Sequence, residues 1–135
     1  MRMILRCLFV IGLGILAACA TTTRDPDKLL DATLVQYAAA VRWGSIDDAI
    51  VFLAPDAARP SAFERERLAQ LQIAGYREQP PVLLSPNEVE QLVQIDFINR
   101  HTQESHSTVE RMRWRFDATA QRWWLVSGLP KLASH

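Results

Sequence analysis

Cysteine is almost absent from this sequence. Of its 135 residues only Cys7 and Cys19 carry a thiol, and both lie near the N-terminus. The chain beyond Cys19 therefore has no disulfide, no cysteine nucleophile and no cysteine-based zinc site. Histidine is nearly as scarce, with His101, His106 and His135 alone. A zinc site takes three or four ligands in fixed geometry. The one cluster on offer, His101 and His106 with Glu104 between them, reads as a solvated polar loop, so no metal and no cofactor is expected. Charge of one sign is also missing, since 15 Lys and Arg balance 15 Asp and Glu. Nucleic-acid binders normally carry a basic excess, and that class of partner is excluded. No apolar run reaches the roughly 20 residues that a spanning helix needs. What is present, 49% apolar and 22% charged residues, is ordinary composition for one globular domain and excludes a disordered chain, a collagen-like chain and a multi-domain enzyme.

The strongest local signal lies in the first 19 residues. Arg2 and Arg6 make a positive n-region, Cys7 to Leu16 an apolar h-region, and Ala17 and Ala18 are small residues before a cleavage point. Leu16-Ala17-Ala18-Cys19 resembles the lipobox of bacterial lipoproteins. The resemblance implies cleavage between Ala18 and Cys19, diacylation of the Cys19 thiol and acylation of the new N-terminus. Two or more acyl chains make a stable anchor where one is marginal. Ala20, where an Asp favours retention in the inner membrane, implies sorting to the outer membrane with the domain facing the periplasm. Loss of Arg2 and Arg6 leaves 13 basic against 15 acidic residues. The expected organisation is a signal over 1–18, the lipidated cysteine and a polar tether over 19–26, a domain over 27–129 and a tail over 130–135.

Within the domain, helical spacing comes first. Leu30, Leu34, Tyr37 and Val41 recur from Asp27 to about Arg42 behind Pro26, which suits a first turn. Gly44 breaks this helix. Ser45 with Asp48 approximates a capping box for a second helix ended by Pro55, and Ser61 with Glu64 predicts a third that runs to about Ile73 and stops at Gly75. The period then changes. Pro80-Pro81 interrupts any strand over Tyr76 to Leu84, and Ser85-Pro86-Asn87 reads as a turn. Val89, Val93, Ile95 and Phe97 alternate with Glu90, Gln94 and Asp96, and Met112, Trp114 and Phe116 alternate with Arg111, Arg113 and Arg115. A loop over Asp117 to Gln121 and a last strand over Arg122 to Ser127 close the pattern. Helices followed by an antiparallel meander give an α+β class, with the helices on one face of a curved sheet of about four strands.

The stretch from Tyr37 to Asp56, with Gly44 between two helices and Ala54-Pro55-Asp56 at its end, resembles a segment of the nuclear transport factor 2-like superfamily. Trp123-Trp124-Leu125-Val126-Ser127 is similar to that superfamily's closing strand. The resemblance, over roughly 28 to 128, implies a cone of three helices and a curved sheet, sometimes with a pocket that relatives use for isomerase or lyase chemistry through Asp or His. It also implies a tendency to dimerise through the open sheet face.

The sequence supplies few groups for such chemistry. The expected pairing sets Val93 opposite Met112 and Trp114 opposite Trp124. Gln91, Asn99, His106 and Glu110 then share the inner face. Glu110 in an apolar setting, with His106 near the mouth, would be the acid–base pair of a cone-pocket lyase or isomerase. On the outer face Arg111, Arg113 and Arg115 form a stripe, either for an acidic partner or paired with Glu90 and Asp96. Arg113 and Arg115 flank Trp123, which with Leu125 makes an apolar zone suited to a homodimer or an envelope protein. The leading expectation is an outer-membrane lipoprotein whose domain binds a partner protein or a small apolar ligand without catalysing a reaction. A cone-pocket enzyme and an accessory subunit of an envelope assembly or secretion complex are the alternatives.

Overall fold

The computed structural model describes residues 23–132. Cys7, Ala18, Cys19 and His135 therefore lie outside the described residues. Three helices, α1 (Pro26–Trp43), α2 (Ile46–Ile50) and α3 (Ala62–Ala69), precede five strands, β1 (Leu71–Glu78), β2 (Val82–Ser85), β3 (Glu88–Asn99), β4 (Ser105–Asp117) and β5 (Arg122–Leu125). The strands form one antiparallel sheet in the order β1-β3-β4-β5, with β2 also paired to β3. The helices pack on one face of this curved sheet, which gives the α+β class expected.

Each helix starts where the sequence says it should. Asp25 caps α1 by accepting the Asp27 amide N–H at 3.0 Å, with Pro26 in the first turn. Both capping boxes close: Ser45 donates its N–H to the Asp48 carboxylate at 2.7 Å, and Ser61 does the same to Glu64 at 2.8 Å. These hydrogen bonds hold both carboxyls below their ordinary range. The third helix is shorter than expected. It buries none of its own residues, so no packing rewards another turn. Leu71 and Ile73 instead enter β1 opposite Asn99 and Phe97.

Pro80-Pro81 splits what would be one long strand. β1 runs along the C-terminal half of β3 and β2 along its N-terminal half, on the same edge. The gap exposes the Gln79 carbonyl to the interior, and Gln91 donates its side-chain amide to it at 3.0 Å. This explains how Gln91, only 3% exposed and the one buried polar residue among those described, is accommodated in the core.

The two long hairpins shift the expected register in different ways. Between β3 and β4 the pairs are Gln91 with Met112, Val93 with Glu110 and Val89 with Trp114. This is a slip of two residues, so every side chain keeps its face. Between β4 and β5 the slip is one residue. Trp114 faces Leu125, Arg115 faces Trp124 and Phe116 faces Trp123. Trp123 and Leu125 therefore point inward and are buried. The cause is the turn. Asp117 belongs to the ladder, opposite Arg122, and its carboxylate accepts the amides of Thr119 and Ala120 at 2.9 and 3.0 Å.

The core lies between α1 and the concave sheet face. Tyr37 meets Trp114 edge-on with ring centroids 5.1 Å apart and Phe52 at 5.4 Å. Edge-to-face pairs of this kind add to simple burial. These three rings fill the centre of the cone. The segment after α2 closes the far edge, with Leu125 donating to the Phe52 carbonyl and Ala54 donating to the Leu125 carbonyl. The C-terminal segment is not a free tail: Leu132 is buried in the core cluster.

Candidate ligand-binding site

A cavity of about 300 Å³ opens where the second half of α1, α2, the end of α3 and the start of β1 meet the C-terminal segment. It exists because small residues line its helical wall. Ala40, Gly44 and Ala49 withdraw side-chain volume from the side facing Leu71 and Ile73. Gly44 has no alternative there, since a Cβ would fall 2.7 Å from the Ala40 carbonyl oxygen. The opposite wall is Leu129, Pro130 and Leu132. Gly128, at φ +85°, turns the chain into that position in a conformation other residues rarely adopt. Arg67 fixes the segment by donating to the Leu132 carbonyl at 3.3 Å.

The lining is mostly apolar, and among the described residues Arg100 is its one charged member. Cavities of a few hundred Å³ with apolar walls and few polar groups are typical of small-molecule sites. At its floor the cavity reaches Tyr37. The Tyr37 hydroxyl is buried without a hydrogen-bond partner, and burial raises its pKa well above the ordinary tyrosine value, with Tyr76 and Glu110 adding to the effect. It stays a neutral phenol. Tyr76 is also raised, by burial first and then by Glu78, and its hydroxyl lies 3.8 Å from the Met112 sulfur.

Glu110 and His106 both occupy the inner face, as their parity implied, but they are not brought together. They lie four positions apart on one strand, about 13 Å at the usual rise. Glu110 is half-buried opposite Val93 and accepts from the Thr108 hydroxyl at 3.3 Å. His106 stacks on Phe97 with centroids 5.4 Å apart, and its Nε2 lies 3.9 Å from the Glu104 carboxylate. Neither residue lines the cavity beside α1. A general acid or base must reach its proton within hydrogen-bond distance, and this spacing gives no shared reaction centre.

The outer face also differs from expectation. Trp123 is 2% exposed and Leu125 0%, so neither can form an outer interface. Trp123 packs on Phe116 and donates its indole N–H to the Pro26 carbonyl at 2.9 Å. The stacked cation is Arg122, 3.8 Å from the Trp124 ring centroid, rather than Arg113 or Arg115 on Trp123. Arg111 pairs with Glu90 at 3.4 Å, and Arg115 reaches Asp56 at 3.3 Å. Glu90 stands opposite Arg113, and Arg115 stands opposite Glu88. Exposed pairs of this kind contribute roughly 0–1 kcal/mol each. Asp96, expected near Arg111, instead accepts from Ser107 at 2.7 Å and Arg77 at 2.8 Å, and the Ser107 bond leads in holding its carboxyl below the usual range. Among the described residues no group of three His, Cys, Asp or Glu side chains is arranged to hold a metal ion.

The cavity was not foreseen from the sequence. Its walls come from segments far apart in the chain, and no local motif marks them. The signal available was the spacing of Ala40, Gly44 and Ala49 on one side of the α1–α2 corner.

No family model matches the chain, and no curated protein matches it. Among solved structures, an Ntf2-like protein involved in plasmid conjugation is similar at 13% identity and a TM-score of 0.47, over 76% of this chain and 38% of that one. A ketosteroid isomerase-like protein from Erwinia carotovora atroseptica SCRI1043 is similar at 18% identity and a TM-score of 0.49, over 73% of this chain and 89% of that one. The likeness to both is one of overall fold, helices against a curved antiparallel sheet.

Proposed function

We propose that this chain is an outer-membrane lipoprotein, acylated at Cys19, whose nuclear transport factor 2-like domain is a non-enzymatic binding module facing the periplasm. Its ligand is a small, largely apolar molecule held in the cavity between the helices and β1. The observation that carries this reading is the contrast between two parts of the interior. The centre of the cone is filled by Tyr37, Phe52 and Trp114, whereas the cavity beside α1 is roomy, apolar and bears a single cation, Arg100, among its lining residues. A polar group on the ligand would meet that guanidinium. The separation of Glu110 from His106 supports binding over acid–base catalysis.

Two measurements test the reading. Radiolabelled palmitate is expected to enter the wild-type chain in a bacterial host and not Cys19→Ser; equal labelling of both would refute the anchor. Native mass spectrometry of the chain, gently released from its host, is expected to show an added small-molecule mass. Ala40→Phe, which places a ring in the cavity, is expected to lose that mass while keeping the wild-type circular dichroism spectrum. An adduct retained by Ala40→Phe would place the ligand elsewhere.

A further inference from the structure

The edge strand β2 has an unusual surface. Val82, Leu83 and Leu84 are 64%, 67% and 50% exposed. Successive strand residues point to opposite faces, so β2 is apolar on both. A solvent-exposed edge strand is normally guarded by charges, lysine above all, and β2 has none. Among the described residues it pairs only with β3, and no described strand lies on its other edge. Pro80 and Pro81 continue the apolar surface towards the exposed Val35 on α1, with which they line a shared groove. Apolar patches of this kind mark contact sites rather than ordinary surface.

The position of this patch says what it meets. A chain of contacts links the start of α1 to the turn after β2. Pro26 accepts from the Trp123 indole, Trp123 packs on Phe116, and the Phe116 amide donates to the Asn87 carbonyl at 2.8 Å. The tether and β2 thus share one end of the domain. From Cys19 to Asp25 the chain spans at most about 20 Å when fully extended. An acyl anchor on Cys19 would hold this end at the bilayer. Asp31 and Glu78 border the groove, whereas Glu88 and Glu90 on β3 stand opposite Arg115 and Arg113. The acidic groove border disfavours anionic headgroups and suits a zwitterionic surface.

We propose that Val82, Leu83 and Leu84 form a lipid-contacting edge that seats the domain on a zwitterionic phospholipid surface, with β2 inserted at the level of the headgroups. This rests on the lipoprotein reading for the anchor that orients the domain. The test uses the scarcity of cysteine. In the acylated chain the Cys19 thiol is blocked, so Leu83→Cys and, separately, Val109→Cys can each take a single nitroxide label. The two parent residues are almost equally exposed, at 67% and 65%, and Val109 lies on the outer face of β4. Both labelled chains are incorporated into vesicles of phosphatidylethanolamine and phosphatidylcholine.

At Leu83 the ratio of collisions with oxygen to collisions with a water-soluble nickel chelate is expected to rise severalfold over that at Val109. A Leu83 label as aqueous as the Val109 label would overturn the proposal. So would dipolar broadening between Leu83 labels with no vesicles present, because it would show β2 pairing with a second copy. The mass of the N-terminal peptide from the same sample reads acylation separately. A chain found without acyl groups refutes the anchor; Leu83→Cys combined with Cys7→Ser and Cys19→Ser, which leaves one thiol to label, is then added to vesicles and still decides whether β2 enters lipid.

Discussion

Trp114→Ala is expected to lower the unfolding free energy by about 3–5 kcal/mol, the usual cost of removing a large ring from a packed interior. Trp114 is fully buried, meets Tyr37 and Phe52 edge-on, and stands between Val89 on one neighbouring strand and Leu125 on the other. Alanine there removes ring contacts with α1, with the segment after α2 and with both strands. The backbone ladder around it is continuous, so the surroundings cannot collapse to fill the space. A domain of this size is stable by only about 5–15 kcal/mol, so the loss is a large share of the total. Trp114→Phe should cost far less, about 1–2 kcal/mol. The indole N–H is buried with no hydrogen-bond partner, and phenylalanine removes that unpaired donor together with part of the ring. Urea titration checks both, with the midpoint moving and the slope unchanged. An alanine variant within about 1 kcal/mol of wild type would mean that the centre of the cone is not tightly packed.

The parts of the fold that were legible are those set by neighbours in sequence. Ser45 with Asp48 and Ser61 with Glu64 cap their helices as the spacing requires. The alternation of β3 and β4 assigns their faces correctly, because a face needs only a period of two. Register is harder, since it depends on how each turn closes. The two long turns use one device. Asn99 accepts the amides of His101 and Thr102, as Asp117 accepts those of Thr119 and Ala120. Gln103 and Gln121 take positive φ at the fourth loop position, and each donates its side-chain amide to the carbonyl three residues back. The shared pattern, Asn or Asp followed four residues later by Gln, was present in the sequence. It is a weak signal, because positive φ is expected at Gly or Asn rather than Gln.

The candidate site was less legible than the fold. Its cavity is defined by volume that is missing, and the small residues that leave it empty lie far from the Leu129 to Leu132 wall. A short C-terminal stretch with no helical or strand period gives, read alone, no reason for Leu132 to be buried. That burial comes from the core around it, which only the assembled chain supplies. For Glu110 and His106 the difficulty was distance rather than face. Parity placed both inside, yet residues four apart on one strand cannot share a proton without a substrate bridging them.

Leu125→Asp and Val126→Asp should behave oppositely, and the pair tests the one-residue register that turns Trp123 and Leu125 inward. Leu125 is fully buried opposite Trp114. A carboxylate there has no partner, and an uncompensated buried charge costs about 3–5 kcal/mol. Val126 donates its amide to the Arg113 carbonyl and shares the outer face with that residue. Aspartate there would lie across the strands from a guanidinium, and opposite charges so placed contribute about 0.2–1 kcal/mol. The change in stability at Val126 should therefore stay within about 1 kcal/mol. The alternative register, with Trp124 and Val126 inside, predicts the reverse ranking. The pH dependence gives a second readout. Burial raises a carboxyl pKa in the folded state above its unfolded value. The folded Leu125→Asp chain would then bind a proton that the unfolded chain does not. Its stability deficit should be complete above the raised pKa and shrink as the pH falls towards about 4, the unfolded value for aspartate. At the solvent-facing position of Val126→Asp the same titration should leave the difference from wild type nearly flat.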